Sequence, residues 1–467
     1  MDSSLLFPIV ILTSILFLYY YNRYEIAFPE LTDKVVYIEN VSVHEKIEFA
    51  KCRVEIWNNK TTWEIPRIET LKLLAKPGVT QSATTEGLSD GQLRLVSAFL
   101  YEDEIVVTTT RQRPAQTGTP VYCRYFDCNR VEIPGSIYKS FFMPLTSVHC
   151  LRKSGASFIS LSLSDDKPQS PIPLTHRLFK QPPNELGVCA GQIYGLDKKW
   201  MQIAEFVEHH KLIGATMFYF SVFEIDGMTR MLLDEYERSG FAEVSIINTE
   251  YTGTAAMLRH MVQIHECFYR ARQHSKWLLN IDHDEFLMPR EKPILTYIRS
   301  LGDHVAELVF TMRRIAKFRD SIEVYHNIKE VSSDIQAVNY NLTHSPSYQS
   351  PKVMIRPDKV NMMIVHWSYG MEPGYKVHAV PANIATLNHY RTISPKFLWS
   401  DFVAKLIKQD VKFMHFTLQK EYLKRLRENV AQVVGYVFEK HDVTCENIPE
   451  PIQKYTRPYL KKMKICE

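Results

Sequence analysis

From Gly187 onward the apolar positions alternate between two periods. Val188–Ile193 reads as a short strand, and Lys199–Leu212 carries Trp200, Ile203, Ala204 and Val207 on one helical face. Gly214 ends that helix. Ala215–Phe223 is a nearly continuous apolar run, the mark of a strand buried on both faces. After the Asp226-Gly227 turn, Met228, Leu232 and Tyr236 mark a second helix closed by Gly240, and Glu243–Ile247 follows as a third strand. A longer helix is predicted over about Ala255–Gln273, with Met257, Met261, Ile264 and Phe268 aligned. Trp277–Ile281 is a fourth strand that runs straight into Asp282-His283-Asp284-Glu285. Strands alternating with helices predict βαβ units, and hence an α/β fold with a mainly parallel sheet. Further strands are expected at Val305–Thr311 and Val360–His366, and the tail 396–467 reads as helical, with Leu418, Tyr422 and Leu426 at helix spacing.

Upstream the pattern changes. Residues 91–185 read as a β-rich region, with strands at Leu93–Leu100 and Glu104–Thr109. Pro168, Pro171, Pro173, Pro182 and Pro183 mark 165–185 as a linker or irregular loop. Residues 23–90 read as a stem. Residues 3–22 contain no charged side chain, and twenty helical residues span about 30 Å, the thickness of a bilayer's hydrocarbon core. Tyr19, Tyr20 and Tyr21 follow at the expected lipid–water boundary. No basic region precedes this stretch and no small-residue cleavage site follows, so an uncleaved signal anchor is expected, with residues 1–2 as a short cytoplasmic end.

Orientation rests on opposing signals. Arg23 and Lys34 flank the C-terminal side, which the positive-inside rule would keep cytoplasmic. Three glycosylation sequons, at Asn40, Asn59 and Asn341, and eight cysteines suited to disulfides place the body in the lumen instead. Neither CxxC pairs nor His spacings suggest zinc. A single-pass type II protein, with its body in the lumen, is the expectation.

Composition narrows the classes. Of 467 residues 45% are hydrophobic and 23% charged, the balance of a globular protein rather than a disordered one. Fifty-six Lys and Arg against 52 Asp and Glu leave +4, with no dense basic block, which argues against nucleic acid as a partner.

Candidate chemistry centres on Asp282 and Asp284. The tripeptide alone carries little information, but here it follows an apolar strand, and ligands bind beyond the carboxyl ends of such strands. In an extended chain, side chains two apart point the same way, so both carboxylates would face one Mg²⁺ or Mn²⁺. The plain alternative is a solvated strand end or a helix-capping Asp.

Residues 187–391 resemble the glycosyltransferase family 92 domain. Four segments carry the resemblance: Cys189-Ala-Gly-Gln-Ile-Tyr-Gly195 leading to Phe206–Gly214; Phe218-Tyr-Phe220; Lys276–Leu287 around Asp282-His-Asp-Glu285; and Val365-His-Trp367 with Leu387-Asn-His-Tyr-Arg391. His265-Glu-Cys267 departs from an expected Asn-Asp-Cys-like triplet. The resemblance implies a GT-A-like, Rossmann-type nucleotide-sugar domain over 186–395. It also implies transfer of a hexose, galactose being the best-known case, from a UDP-sugar to a glycan or glycoprotein hydroxyl, with inversion. It implies a Golgi membrane setting and Mn²⁺ (or Mg²⁺) held by Asp282, Asp284 and a later His, for which His366 is the candidate.

Donor contacts are expected at Gly191, Tyr194, Gly195, His389 and Arg391, although turn glycines and surface salt bridges explain them equally well. For the catalytic base the candidates are Glu285 and Glu224. Two other classes stay open: a non-catalytic glycan-binding or scaffold protein on the same fold, and a metal-dependent hydrolase using Asp282, His283 and Asp284.

Overall fold

The structure is a computed structural model that describes residues 93–111, 118–143, 145–164, 168–247, 256–290, 293–392 and 413–439. All of them fall within the unit Lys51–Glu467. The expected anchor, the stem, Asn40 and Asn59 lie outside the described residues. Among the described residues no helix is long and apolar enough to cross a membrane.

The β-rich region is a sheet of seven strands: β1 (Leu93–Leu100), β2 (Ile105–Arg111), β3 (Pro120–Phe126), β4 (Tyr138–Phe141), β5 (Ser147–Cys150), β6 (Phe158–Ser162) and β7 (Ile172–His176). Their order is β4-β3-β6-β7-β1-β2-β5. Strand β7 corrects the expectation of an irregular linker over 165–185. It pairs antiparallel with β6, Pro173 facing Phe158, and parallel with β1. Only three residue pairs join β7 to β1. So short a ladder leaves room for the prolines, which cannot donate to it. A disulfide between Cys123 and Cys150 ties β3 to β5.

The second sheet follows the predicted alternation: β8 (Asn184–Ala190), α1 (Trp200–Leu212), β9 (Met217–Val222), α2 (Gly227–Arg238), β10 (Ala242–Ile246), α3 (Ala256–Ala271) and β11 (Ser275–Ile281). The Asp226 carboxylate caps α2 by accepting from the Thr229 amide at 3.0 Å. Gly214, at φ +106°, ends α1 as expected of a C-terminal glycine. The order β10-β9-β8-β11 is parallel throughout.

Beyond β11 the expectation of a mainly parallel sheet fails. The chain continues as β12 (Glu285–Pro289), α4 (Ile294–Ser300), β13 (Val305–Lys317), α5 (Ile328–Ser333), α6 (Gln336–Asn339), β14 (Leu342–Thr343) and β15 (Ser347–Ile355). Then come β16 (Val360–Met363), β17 (Ser368–Met371), β18 (Lys376–Ala379), β19 (Ala385–Thr392), β20 (Met414–His415) and α7 (Lys420–Glu439). Strand β15 inserts antiparallel between β11 and β13, and β12 pairs antiparallel with β19. The sheet is mixed. The strand expected over Val360–His366 ends at Met363 and pairs only with β17, outside the large sheet.

Alternate side chains of the central strands enter two cores, as the period of two demands. Val188, Phe218, Phe220 and Leu279 face a core shared with α1, α2 and the α7 residues Leu426, Val430, Val434 and Val437. Cys189, Tyr219 and Leu278 face a second core built on α3 and on Phe99, Tyr101 and Val106 of the β-rich sheet. Helix α3 therefore lies between the two sheets. Two buried networks lock it there. Arg272 donates to Glu104 at 2.6 Å, and Glu104 also meets His149 Nδ1 at 2.6 Å. Thr146 Oγ1 lies 2.6 Å from His265 Nδ1. A disulfide between Cys189 and Cys267 fixes the end of β8 to the same helix.

Candidate functional site

Strand β11 ends at Ile281, and the Glu285 amide donates to the Asp282 carbonyl at 2.9 Å. Asp282, His283 and Asp284 thus occupy a turn rather than an extended segment. That corrects the expectation of two carboxylates held parallel by strand pleat: the turn sends them to different partners. The Asp282 carboxylate meets Lys352 Nζ of β15 at 2.9 Å and His260 Nε2 of α3 at 3.7 Å. The Asp284 carboxylate meets His389 Nε2 of β19 at 3.2 Å and Arg391 Nε at 3.4 Å. Glu285, buried at the start of β12, lies 3.2 Å from Lys352 and 3.7 Å from His389 Nδ1, and accepts from the Asp282 amide at 2.8 Å.

Asp282, Glu285, Lys352, His389 and Arg391 line a cavity of about 290 Å³ together with Met312, Arg314, Ser350, Val365 and His366, while Asp284 and His260 stand behind that lining. Local irregularity shapes it. The β13–β15 register shifts between Phe310 and Met312, and Ser350 takes a left-handed φ of +55° just before Pro351. Pro351 has no amide to give the ladder, so a bulge forms here and presents Ser350 and Lys352 to the cavity.

The electrostatics follow from burial against pairing. Burial works to raise the Asp282 carboxyl, but Lys352 and His260 hold it well below the usual range. Asp284 is likewise held low, against its burial, by His389 and Arg391. Burial pushes the Glu285 carboxyl up against the pull of Lys352. The His389 imidazole is raised, because Asp284 and Glu285 outweigh its burial. Burial lowers His260 and His283, and takes His366 down to about 4 with help from the Lys352 charge.

The expected metal trio is not brought together. Among the described residues no three His, Cys, Asp or Glu side chains converge on one ion. His366 lines the cavity, and its Nδ1 is engaged with the Pro351 carbonyl at 3.0 Å, a bond that orients the ring and leaves Nε2 as its other nitrogen. His389, expected at the donor, is the imidazole beside Asp284. One oxygen, Asp284 Oδ1, is buried without any hydrogen-bond partner. A carboxylate oxygen of this kind is a hard donor suited to a divalent cation. Mg²⁺-type ions are commonly held by one or two carboxylates and completed by substrate phosphates, so a protein trio is not required.

The remaining expected residues fall around this centre. A Cβ on Gly191 would stand 2.5 Å from Asp282 Oδ1 and 2.9 Å from its Cα, so only glycine lets the end of β8 pass this close. Gly195 turns at φ +75°, and the exposed Tyr194 ring lies 4.9 Å from the Arg259 guanidinium. Glu285 has both oxygens engaged, which suits positioning better than proton abstraction. Glu224, beyond β9, does not line the cavity. Glu266, in the divergent triplet, is buried in contacts to Arg270, Ser97 and Ser221. Asn341 is exposed, with Oδ1 accepting from His415 Nδ1 at 2.8 Å.

Sequence reasoning missed Lys352, His260 and Arg314. The signals were slight: a lone lysine in the apolar run Val353-Met354-Ile355 that it precedes, and His260 with Gln263 at a spacing of three on α3. Gln263 donates to the Ala190 carbonyl at 2.9 Å, so that pair does face the end of β8.

A cavity at the carboxyl end of a parallel βα array is where α/β sheets take their ligands, and this one is walled by carboxylates on one strand turn and cations on its neighbours. The sequence profile of glycosyltransferase family 92 matches residues 184–434, more than half of the chain, and the protein belongs to that family. It is a glycosyltransferase, with an activated sugar and an acceptor as its partners. No curated protein matches it. Among solved structures, S. aureus TarS residues 1–349 is similar at 9% identity, over 59% of this chain and 79% of that one, with a TM-score of 0.23. The galactosyltransferase LgtC, solved with donor and acceptor sugar analogues, is similar at 12% identity, over 51% of this chain and 99% of that one, again at 0.23.

Proposed function

We propose that this glycosyltransferase moves a hexose, galactose first among the candidates, from a UDP-sugar to a glycan hydroxyl with inversion, and that Mn²⁺ or Mg²⁺ assists. The observation that carries this reading is the orphaned, buried Asp284 Oδ1, whose carboxylate lies behind His389 of the cationic cavity. Asp284 would hold the ion, with Asp282 near it across the turn, while His389, set between Asp284 and Glu285, would keep the Asp284 carboxylate in place. When bound, the metal neutralises charge that builds on the departing diphosphate.

The chain's own residues prepare the rest. Arg391 and Arg314 wall the cavity and supply guanidinium groups suited to phosphate oxygens. Lys352 pins Asp282 and Glu285, so that the carboxylates do not reorganise when the donor arrives. Gly191 lets the end of β8 approach Asp282 closely and so helps to fix the turn that carries that carboxylate. A type II anchor at residues 3–22 and a Golgi lumen setting complete the proposal, with Asn341 as an exposed acceptor for N-glycosylation.

The test is a donor screen with and without Mn²⁺, wild type against Asp284→Asn. Loss of a group that stabilises transition-state charge costs about 10²- to 10³-fold in turnover. Equal turnover of UDP-galactose by the two proteins would remove Asp284 from the mechanism.

A further inference from the structure

A second cavity lies on the opposite face of the same strands. Met312 and Arg314 of β13, with His389 and Arg391 of β19, face the donor cavity, whereas Arg313, Thr386 and Asn388 face the other way. Because side chains alternate along a strand, the two cavities share backbone but no side chain on these strands. The back cavity holds about 330 Å³ between the sheet, the end of α1 and the segment Phe416–Tyr422 that leads into α7.

Its charge is one-sided. Arg290, Arg313 and Arg425 line it, and no Asp or Glu does. Arg313 is only 9% exposed and its Nε has no hydrogen-bond partner. Among the described residues no carboxylate pairs with any of the three arginines. Burial, with Arg290 nearby, lowers the Arg313 guanidinium to about 10. Among the described residues Arg313 has no counterion, and because an unpaired buried cation is costly to a fold, an anion from outside would offset that cost. The start of α7 adds to the same field. Its first ladder bond runs from the Leu423 amide to the Gln419 carbonyl, which leaves the preceding amides at the cavity with the positive end of the helix.

We propose that this back cavity is a second ligand site that takes an oxyanion, a phosphate- or carboxylate-bearing group, on Arg313, with Arg290 and Arg425 at its rim. Thr386, Asn388 and Gln419 offer neutral polar contacts around it. A planar guanidinium suits either anion through paired N–H donors.

Thermal melting of the full chain tests the site, in chloride, inorganic phosphate or acetate at equal ionic strength. Phosphate also has a claim on the donor cavity, so the comparison is made in an Arg391→Gln background. A saturable rise of roughly 3–6 °C is expected at about 100 times Kd. In that background Arg313→Met should abolish the rise while melting in chloride no lower than its parent, since it removes an unpaired buried charge. If Arg313→Met does not fold, Arg290→Gln/Arg425→Gln at the exposed rim should raise the apparent Kd at least about 10-fold. A rise with phosphate alone assigns a phosphoryl ligand, and an equal rise with acetate a carboxylate ligand. No saturable rise with either anion, or a rise unchanged by Arg313→Met or by the rim pair, overturns the proposal.

Discussion

The Lys352 ammonium donates to the Asp282 carboxylate at 2.9 Å and so joins β15 to the turn after β11. It also reaches Glu285 at 3.2 Å, and both Lys352 and Glu285 are nearly inaccessible to water. One cation therefore bridges two carboxylates that would otherwise repel each other. Lys352→Met leaves them without it, and breaking a buried pair in this way costs about 3–5 kcal/mol. Lys352→Met/Glu285→Gln removes one of the stranded charges and should recover part of that loss. Denaturant unfolding of the three proteins checks this, and an unchanged midpoint for Lys352→Met would rule out a structural role for the pair.

His389 and His366 both line the donor cavity but do different work. His389 Nε2 faces Asp284 at 3.2 Å, whereas His366 Nδ1 is tied to the Pro351 carbonyl at 3.0 Å. His389→Gln should therefore lower Mn²⁺-dependent donor turnover by about 100-fold and raise the Mn²⁺ needed for half-activity. His366→Gln should change turnover by less than about 5-fold, because among the described residues its ring makes no bond to Asp284. Titrating Mn²⁺ against each variant separates the two, and the reverse ranking would restore His366 as the metal residue.

Much of this site was legible in the sequence, for definite reasons. The apolar run Trp277–Ile281 located Asp282 and Asp284 at a strand end, and the periods of α1, α2 and α3 placed the parallel half of the sheet. Partners brought in by chain reversal were not legible. Lys352 reaches Asp282 only because β15 inserts antiparallel between β11 and β13, and periodicity carries no information about which strands become neighbours. The turn at 282–285 was hidden for a related reason. Alternation predicted an extended chain, but the backbone bond from Glu285 to Asp282 wins locally. Strand β7 was masked by its own prolines.

Acid should destabilise the fold through histidines held neutral in the core. His209 donates from Nε2 to the Leu287 carbonyl at 2.8 Å, and His265 lies between Thr146 and the Met363 carbonyl. Burial lowers each to about 4, below the unfolded value of about 6.5. With the folded pKa depressed, the unfolded chain binds more protons between those limits, so stability is full above about 6.5 and falls as pH drops towards 4. Each histidine should then contribute a loss of about 2 kcal/mol between pH 7 and pH 5. Urea midpoints across that range measure the slope, and His209→Gln should flatten it. A slope that His209→Gln leaves unchanged would mean that this imidazole does not control the acid response.

Gly191 is the tightest test of the site's geometry. A methyl group there meets Asp282 Oδ1 at 2.5 Å and Asp282 Cα at 2.9 Å, and the second contact is with backbone that a rotamer change cannot relieve. Gly191→Ala must therefore push the turn away from β8, at a cost of about 1–3 kcal/mol. The displacement also shifts Asp282 relative to Lys352 and His260. Donor turnover should fall by at least about 10-fold, since small misplacements at a reacting centre are expensive. Gly240→Ala is the matched control. It has no atom within 4 Å of the new methyl, but φ is +79°, so it adds backbone strain of about 1 kcal/mol without touching the site. Comparable stability losses with turnover lost only in Gly191→Ala would tie activity to the approach of β8 to Asp282. Equal turnover in both would mean that the end of β8 does not set the position of that carboxylate.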